Sequence, residues 1–265
     1  MSDRSPPIAT GDDPSIDDLW ADLRRLTAAR IGLARSGASL ATPPLLEFRL
    51  AHARARDAVH ARLDEARLCA DLAALGAPVL VVASAVRDRA QYLMRPDLGR
   101  QLAAEADATL APHAGGHDVA FVITDGLSAR AVERHAGPLL ARLLPQLQSD
   151  AWHIAPLTIV RQGRVAIGDA VAQRLRARMV VILIGERPGL TAPDSMGAYL
   201  TWQPRPQTTD AERNCISNIR SEGVAPAEAA AKTLHLMRVM RRRQLSGVGL
   251  KDETERLLMS GDNRN

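Results

Sequence analysis

Aromatic residues make up only 3% of this chain, two Phe, two Tyr and three Trp among 265 residues. Hydrophobic residues still reach 46%, so the core must be built from Ala, Leu, Val and Ile. So few rings also leave little on which to stack single-stranded bases. Two cysteines, Cys69 and Cys215, do not make a disulfide framework, and a reducing compartment is expected. No apolar run reaches the length of a membrane span. The opening MSDRSPPIATGDDPSIDD lacks the basic-then-apolar order of a signal peptide. Neither G-x-G-x-x-G nor G-x-x-x-x-G-K-[ST] is present. Gly247-Val248-Gly249 is a shorter match that follows a helix, not a strand, so phosphate cradling of the usual nucleotide type is disfavoured. A soluble intracellular protein is expected.

The formal charge of +4 raises the question of nucleic acid. The arginines are spread through helical segments and interleaved with acids. The densest run, Arg241-Arg242-Arg243, lies near the end of a predicted helix, where it complements the helix dipole and faces solvent. No nucleic-acid partner is expected.

Residues 1–14, rich in Pro, Asp and Ser, read as a disordered tail. A helix is predicted from Ser15, with Asp17 and Asp18 in its first turn and Leu19, Leu23, Leu26 and Ala29 as its stripe, and Gly37 ends it or the segment after it. A second helix is predicted from Pro43 to Ala66. Val79 to Val86 reads as a strand, and helical periodicity resumes from Arg100 to Leu110. Residues 15–112 are therefore expected to form a mainly helical region.

Beyond it the pattern alternates. Strands are predicted over Asp118–Thr124, His153–Val160, Met179–Ile184 and Tyr199–Trp202. Helices are predicted over Ser128–Leu147, bent or restarted at Gly137-Pro138, then Asp169–Arg178 and Ala225–Gln244. Such alternation implies an α/β fold over 113–265, a mostly parallel sheet with helices on both faces.

Several residues are candidates for chemistry. Val180 to Leu190, VVILIGERPGL, reads as a buried strand running into a polar, glycine-rich turn. Ligands of open α/β sheets sit at such carboxyl ends. Glu186 stands there, either as half of a loop ion pair with Arg187 or as an acceptor for ligand amide or hydroxyl groups. Gly185 and Gly189 would let the backbone approach a bulky ligand. Cys215 is either a buried small hydrophobe or a ligand contact. Gly126-Leu127-Ser128-Ala129-Arg130 lies between strand and helix like a nucleophile elbow but lacks the final glycine. Ser128 fits better as a helix cap that accepts a backbone N–H. His113 and His117 have metal-ligand spacing, but Gly115 and Gly116 lie between them, so a surface loop is the better reading.

RPDLGR (95–100), VITDGLSA (122–129), GRVAIGD (163–169), VVILIGERPGL (180–190), PDSMGAYLTW (193–202), NCISNIR (214–220) and PAEAA (226–230) occur in an order and spacing that resemble the small subunit of ethanolamine ammonia-lyase. The resemblance covers about Leu19 to Leu250. It implies a Rossmann-like α/β chain, with 113–265 as the cobalamin-binding domain. It implies an adenosylcobalamin-dependent lyase that turns ethanolamine into acetaldehyde and ammonia by a radical route, active only with a large TIM-barrel subunit that holds the substrate. The cofactor lies at the subunit interface, and the corrin contacts implied for this chain are Val165, Glu186 and Cys215. Corrin side chains end in amides, which donate to a carboxylate such as Glu186. The chain lacks D-x-H-x-x-G, as suits a family that binds cobalamin with its own base attached. Some members carry a longer N-terminal extension linked to packing in a bacterial microcompartment. Only a short polar tail precedes Ser15 here, so the expected location is the cytoplasm, inside or outside such a compartment. Two other readings remain open: a non-catalytic cobalamin-binding protein, and a stand-alone α/β hydrolase using Ser128.

Overall fold

A computed structural model describes residues 15–250 apart from Ala28 and Ala34. The tail expected over residues 1–14 and the side chain of Leu19 lie outside the described residues. The chain divides into two compact units between Ala53 and Arg54.

The first unit holds α1 (Ser15–Leu26), a short hairpin of β1 (Arg35–Ser36) and β2 (Ser39–Leu40), and the start of α2 (Thr42–His60). Gly37 does not end the first helix. It lies in the hairpin turn at φ +61°, a left-handed conformation in which glycine meets no steric cost. After α1 the chain folds back on that helix, and Arg24 donates to the carbonyls of Ile31 and Gly32.

In the second unit α2 stops at His60, short of the predicted Ala66. The chain restarts as α3 (Glu65–Ala73), because the Asp64 carboxylate accepts the Arg67 N–H at 3.1 Å and caps a new helix. Next come β3 (Val79–Ala83), α4 (Arg89–Met94), α5 (Ala106–Leu110), β4 (Val119–Thr124), α6 (Ala129–Ser149), β5 (Leu157–Arg161), α7 (Ile167–Leu175), β6 (Met179–Gly185), β7 (Met196–Trp202), β8 (Arg213–Ile219) and α8 (Pro226–Arg243). The helix predicted over 100–110 shrinks to α5. Residues 101–103 instead run beside the end of β3, with Ala85 N–H donating to the Gln101 carbonyl and Ala103 N–H to that of Ala83, both at 2.9 Å. α6 runs uninterrupted through Pro138 and Pro145, held by the buried stripe Leu139, Leu140, Leu143, Leu144 and Leu147.

Six strands form one sheet in the order β3-β5-β4-β6-β7-β8. β3, β5, β4 and β6 are parallel; β7 is antiparallel to β6, and β8 to β7. The fold is thus α/β with a mostly parallel sheet flanked by helices. β3 comes from within residues 15–112, so the sheet draws on both of the regions expected from the sequence. β4 and β6 are buried along their whole length, which is why they read as unbroken apolar runs. Alternation sorts the side chains onto two faces. Phe121, Ile123, Val181, Leu183, Ala198 and Leu200 pack with α3, α6 and α8. Ala120, Val122, Val180 and Ile182 pack with α5 and α7 on the other face. α7 lies over β4 and β6. On that same face β8 leaves Cys215 and Ser217 exposed.

Candidate functional site

β4 leads through α6 to β5 on one side, and β6 leads to β7 on the other. Their carboxyl ends therefore border a crevice where the chain connections diverge, the usual place for a ligand in an open α/β sheet. A cleft of about 410 Å³ lies there. Leu127 reaches it from the end of β4, Arg164 and Val165 from the end of β5, and Gly185, Glu186 and Arg187 from the end of β6. Tyr92, Tyr199 and Ser217 complete the wall.

Glu186 is fixed by its neighbours. Its backbone N–H donates to the Ser195 carbonyl at 2.9 Å. Its Oε2 accepts a short hydrogen bond from the Ser195 hydroxyl and a 3.1 Å bond from the Asn218 N–H. Oε1 has no hydrogen-bond partner among the described residues. It faces Gly197, where a Cβ would stand 3.0 Å from Oε1 and 3.1 Å from Tyr199 Cε2. Among the described residues no ion pair joins Glu186 to Arg187, which is exposed. The loop-pair reading thus gives way to a half-buried carboxylate held by one oxygen.

The glycines differ from expectation. A Cβ on Gly185 would collide with the carbonyl oxygens of Ser128 and Asp125, and Leu127 N–H donates to the Gly185 carbonyl at 2.9 Å. Gly185 therefore serves the packing of β6 against the loop after β4, not ligand approach. A Cβ on Gly189 would make only ordinary contacts. Gly197 is the glycine whose bareness makes room for Glu186.

Val165 is half-buried against the α7 side of the core and shares the cleft wall with Glu186. Cys215 does not line the cleft directly. It pairs across β7–β8 with Tyr199, which does. The thiol is exposed, so the buried-hydrophobe reading fails. Its pKa is nevertheless raised, first by the protein that crowds it and then by the Glu186 charge, against a hydrogen bond with Tyr199 that lowers it. Tyr199 is raised too, by desolvation and then by Cys215 and Glu186.

Arg164 is a wall residue that the sequence reading passed over. Its backbone N–H donates to the Gly99 carbonyl at 2.7 Å, and its Nη2 to the Tyr92 carbonyl at 3.0 Å. Its guanidinium carbon lies 4.1 Å from the centre of the Tyr92 ring, and that of Arg89 lies at 4.8 Å. Tyr92 is fully buried and donates its hydroxyl to the Gly163 carbonyl at 3.1 Å. Burial pushes its pKa up to about 12, so it stays a neutral phenol. The one available clue was position, since Arg164 precedes Val165 within GRVAIGD.

Other candidates lose their chemistry. Ser128 is fully buried and donates its hydroxyl to the Pro193 carbonyl at 2.9 Å. It makes no side-chain cap bond, although it occupies the N-cap position of α6, so neither the expected cap nor an elbow nucleophile is formed. His117 Nε2 lies 3.0 Å from the His113 carbonyl, and no metal-binding group of side chains occurs among the described residues. A larger hollow of about 640 Å³ follows Ala166, Asp169 and Gln173 along α7. Most of its charges are already satisfied: Arg174 bonds Asp107 at 2.9 Å, Asp97 bonds Arg95 at 2.7 Å, and Asp169 bonds Arg213. Its Arg100 has no side-chain partner among the described residues, but the smaller cleft is the one that holds Val165 and Glu186.

The family model of the ethanolamine ammonia-lyase light chain matches residues 17–251. Three relatives named ethanolamine ammonia-lyase small subunit are similar over nearly their full length. The one from Ralstonia nicotianae is 56% identical over 250 residues, 93% of each chain. The one from Azotobacter vinelandii is 53% identical over 265 residues, 98% of this chain and 95% of its own. The one from Pseudomonas putida is 54% identical over 246 residues, 91% of this chain and 90% of its own. A match that spans both the six-stranded sheet and the segments lining its cleft makes this chain a member of the ethanolamine ammonia-lyase light chain family.

Proposed function

We propose that this chain is the small subunit of an adenosylcobalamin-dependent ethanolamine ammonia-lyase, and that the cleft beyond β6 forms its share of the cobalamin seat. The large subunit, a TIM barrel in this reading, closes the other side and holds the substrate. When bound, adenosylcobalamin supplies the radical chemistry that converts ethanolamine to acetaldehyde and ammonia. The chain works in the cytoplasm, inside or outside a microcompartment. No helix among the described residues is long and apolar enough to cross a membrane.

The observation that carries this reading is the state of Glu186. One carboxylate oxygen is tied by Ser195 and Asn218, and the other, beside the cleft, has no partner among the described residues. A carboxylate held this way accepts an N–H from a primary amide without having to reorient, and corrin side chains end in such amides. Val165 at the cleft wall supplies an apolar contact for the ring, and Cys215, outside the wall but paired with Tyr199, meets the cofactor at the cleft's β8 edge. The Arg164 guanidinium at the cleft wall also suits a polar-edged ligand. The chain binds and orients the cofactor; the acid, base and substrate ligands lie on the partner.

The test is ethanolamine deamination by the large subunit with adenosylcobalamin, with and without this chain. Turnover only with both chains is expected. Full turnover by the large subunit alone would contradict the proposal. Two associated chains that bind cobalamin without turnover would favour the non-catalytic reading.

A further inference from the structure

We infer that Arg164 contacts the cofactor, donating from its guanidinium to an acceptor oxygen of the bound corrinoid. This rests on the reading of the cleft as a cobalamin seat and adds a donor to the acceptor that Glu186 provides.

Three observations carry the inference. First, Arg164 is held at the cleft wall from several sides: by Gly99 at its backbone, by the Tyr92 carbonyl at Nη2 and by the Tyr92 ring beneath its guanidinium. The RPDLGR segment accounts for part of this fit. A Cβ at Gly99 would stand 2.8 Å from Arg164 Cγ and 3.3 Å from Tyr92 Cε2, so only glycine lets that turn close on the arginine. Second, the guanidinium is under-used. Its Nη1 makes no hydrogen bond among the described residues and is not sealed from solvent, so it is the donor open to a ligand. Neighbouring Arg89 has the Asp125 carboxylate at 3.5 Å, whereas Arg164 has no carboxylate partner among the described residues. A guanidinium N–H that meets only solvent at the cleft wall is free to donate to an acceptor on a bound ligand. Third, its position is right: Arg164 lines the same cleft as Val165 and Glu186. A guanidinium presents several N–H groups in a fixed plane and suits a carbonyl or phosphate oxygen. Cobalamin offers both, in its amide side chains and in the phosphodiester of its nucleotide tail.

The test measures corrinoid affinity by absorbance titration of the assembled two-subunit complex. Hydroxocobalamin is compared with cobinamide, which lacks the nucleotide tail. Arg164→Gln is expected to weaken hydroxocobalamin binding about ten- to hundredfold, and Arg164→Lys to recover part of the loss. A penalty that vanishes with cobinamide identifies the phosphodiester as the acceptor; one that persists identifies an amide carbonyl. Unchanged affinity for both corrinoids in a folded, assembled Arg164→Gln complex overturns the inference. If Arg164→Gln does not assemble, Arg164→Lys decides, since losing the planar fork should still weaken binding severalfold and unchanged affinity would overturn the inference. If the wild-type complex binds neither corrinoid, the reading of the cleft fails and this inference falls with it.

Discussion

Asp169 and Arg213 meet through two hydrogen bonds of 2.7 Å, one to each carboxylate oxygen, with both side chains almost wholly buried. Arg213 also donates to Thr201 Oγ1 at 3.1 Å and to the Thr208 carbonyl at 3.1 Å. Asp169 lies in the first turn of α7, four residues after Val165. Arg213 opens β8, two residues before Cys215. The pair thus ties together two segments that carry cofactor contacts in this account.

Removing one partner leaves the other charge buried and alone. Asp169→Ala should therefore destabilise the fold by about 3–5 kcal/mol, read as a drop in unfolding midpoint at pH 7.5. Arg213→Ala should cost a similar amount. The double variant should cost clearly less than the sum of the two singles, because neither charge is then stranded. Additive losses would show that the pair is not coupled.

Ser195 and Gly197 should act on Glu186 rather than on the fold. Ser195→Ala removes one of the two bonds to Oε2 and should weaken corrinoid binding by about 0.5–1.5 kcal/mol. Gly197→Ala places a methyl group against Oε1 and the Tyr199 ring and should weaken it further. Corrinoid titration of each assembled variant, set beside its unfolding curve, checks this. Loss of stability with unchanged affinity would contradict it.

His135 gives a pH dependence of known sign. It is buried, and desolvation lowers its pKa below the ordinary histidine value, against the Asp194 carboxylate, which raises it. Below about pH 6.5 the unfolded chain takes up a proton that the folded chain resists. This stability is complete above that pH and is lost as the pH falls through and below it. Denaturant unfolding at pH 7.5 and 5.5 should show a smaller acid-side loss for His135→Gln than for the wild type. Equal losses would contradict a neutral, buried His135.

The central strands were legible in the sequence because both of their faces are buried. VAFVIT and MVVILIG are unbroken apolar runs, and their burial leaves no polar alternation to confuse them. β8 was not legible. It packs Ile216 and Ile219 on one face, leaves Cys215 and Ser217 exposed on the other, and carries Asn218 at φ +59°, so neither a run nor a clean alternation survives. The helix predicted through Ala66 failed on a single cap, Asp64. At the site, the position of Glu186 followed from its strand, but its anchors did not: Ser195 and Asn218 stand 9 and 32 residues away. The role of Gly185 was misread because its clash partners, Asp125 and Ser128, belong to a different loop. Contacts set by strand pairing and loop closure leave no local periodicity to read.

The central claim is that the cleft beyond β6 seats the cofactor through Glu186. The most direct test is the dissociation constant of hydroxocobalamin for the assembled complex, with Glu186→Ala compared to wild type. The account predicts binding weakened by about 1–3 kcal/mol, with the unfolding midpoint and subunit association little changed. Unchanged affinity in a folded, assembled Glu186→Ala complex would contradict it and move the cofactor contact elsewhere on this chain.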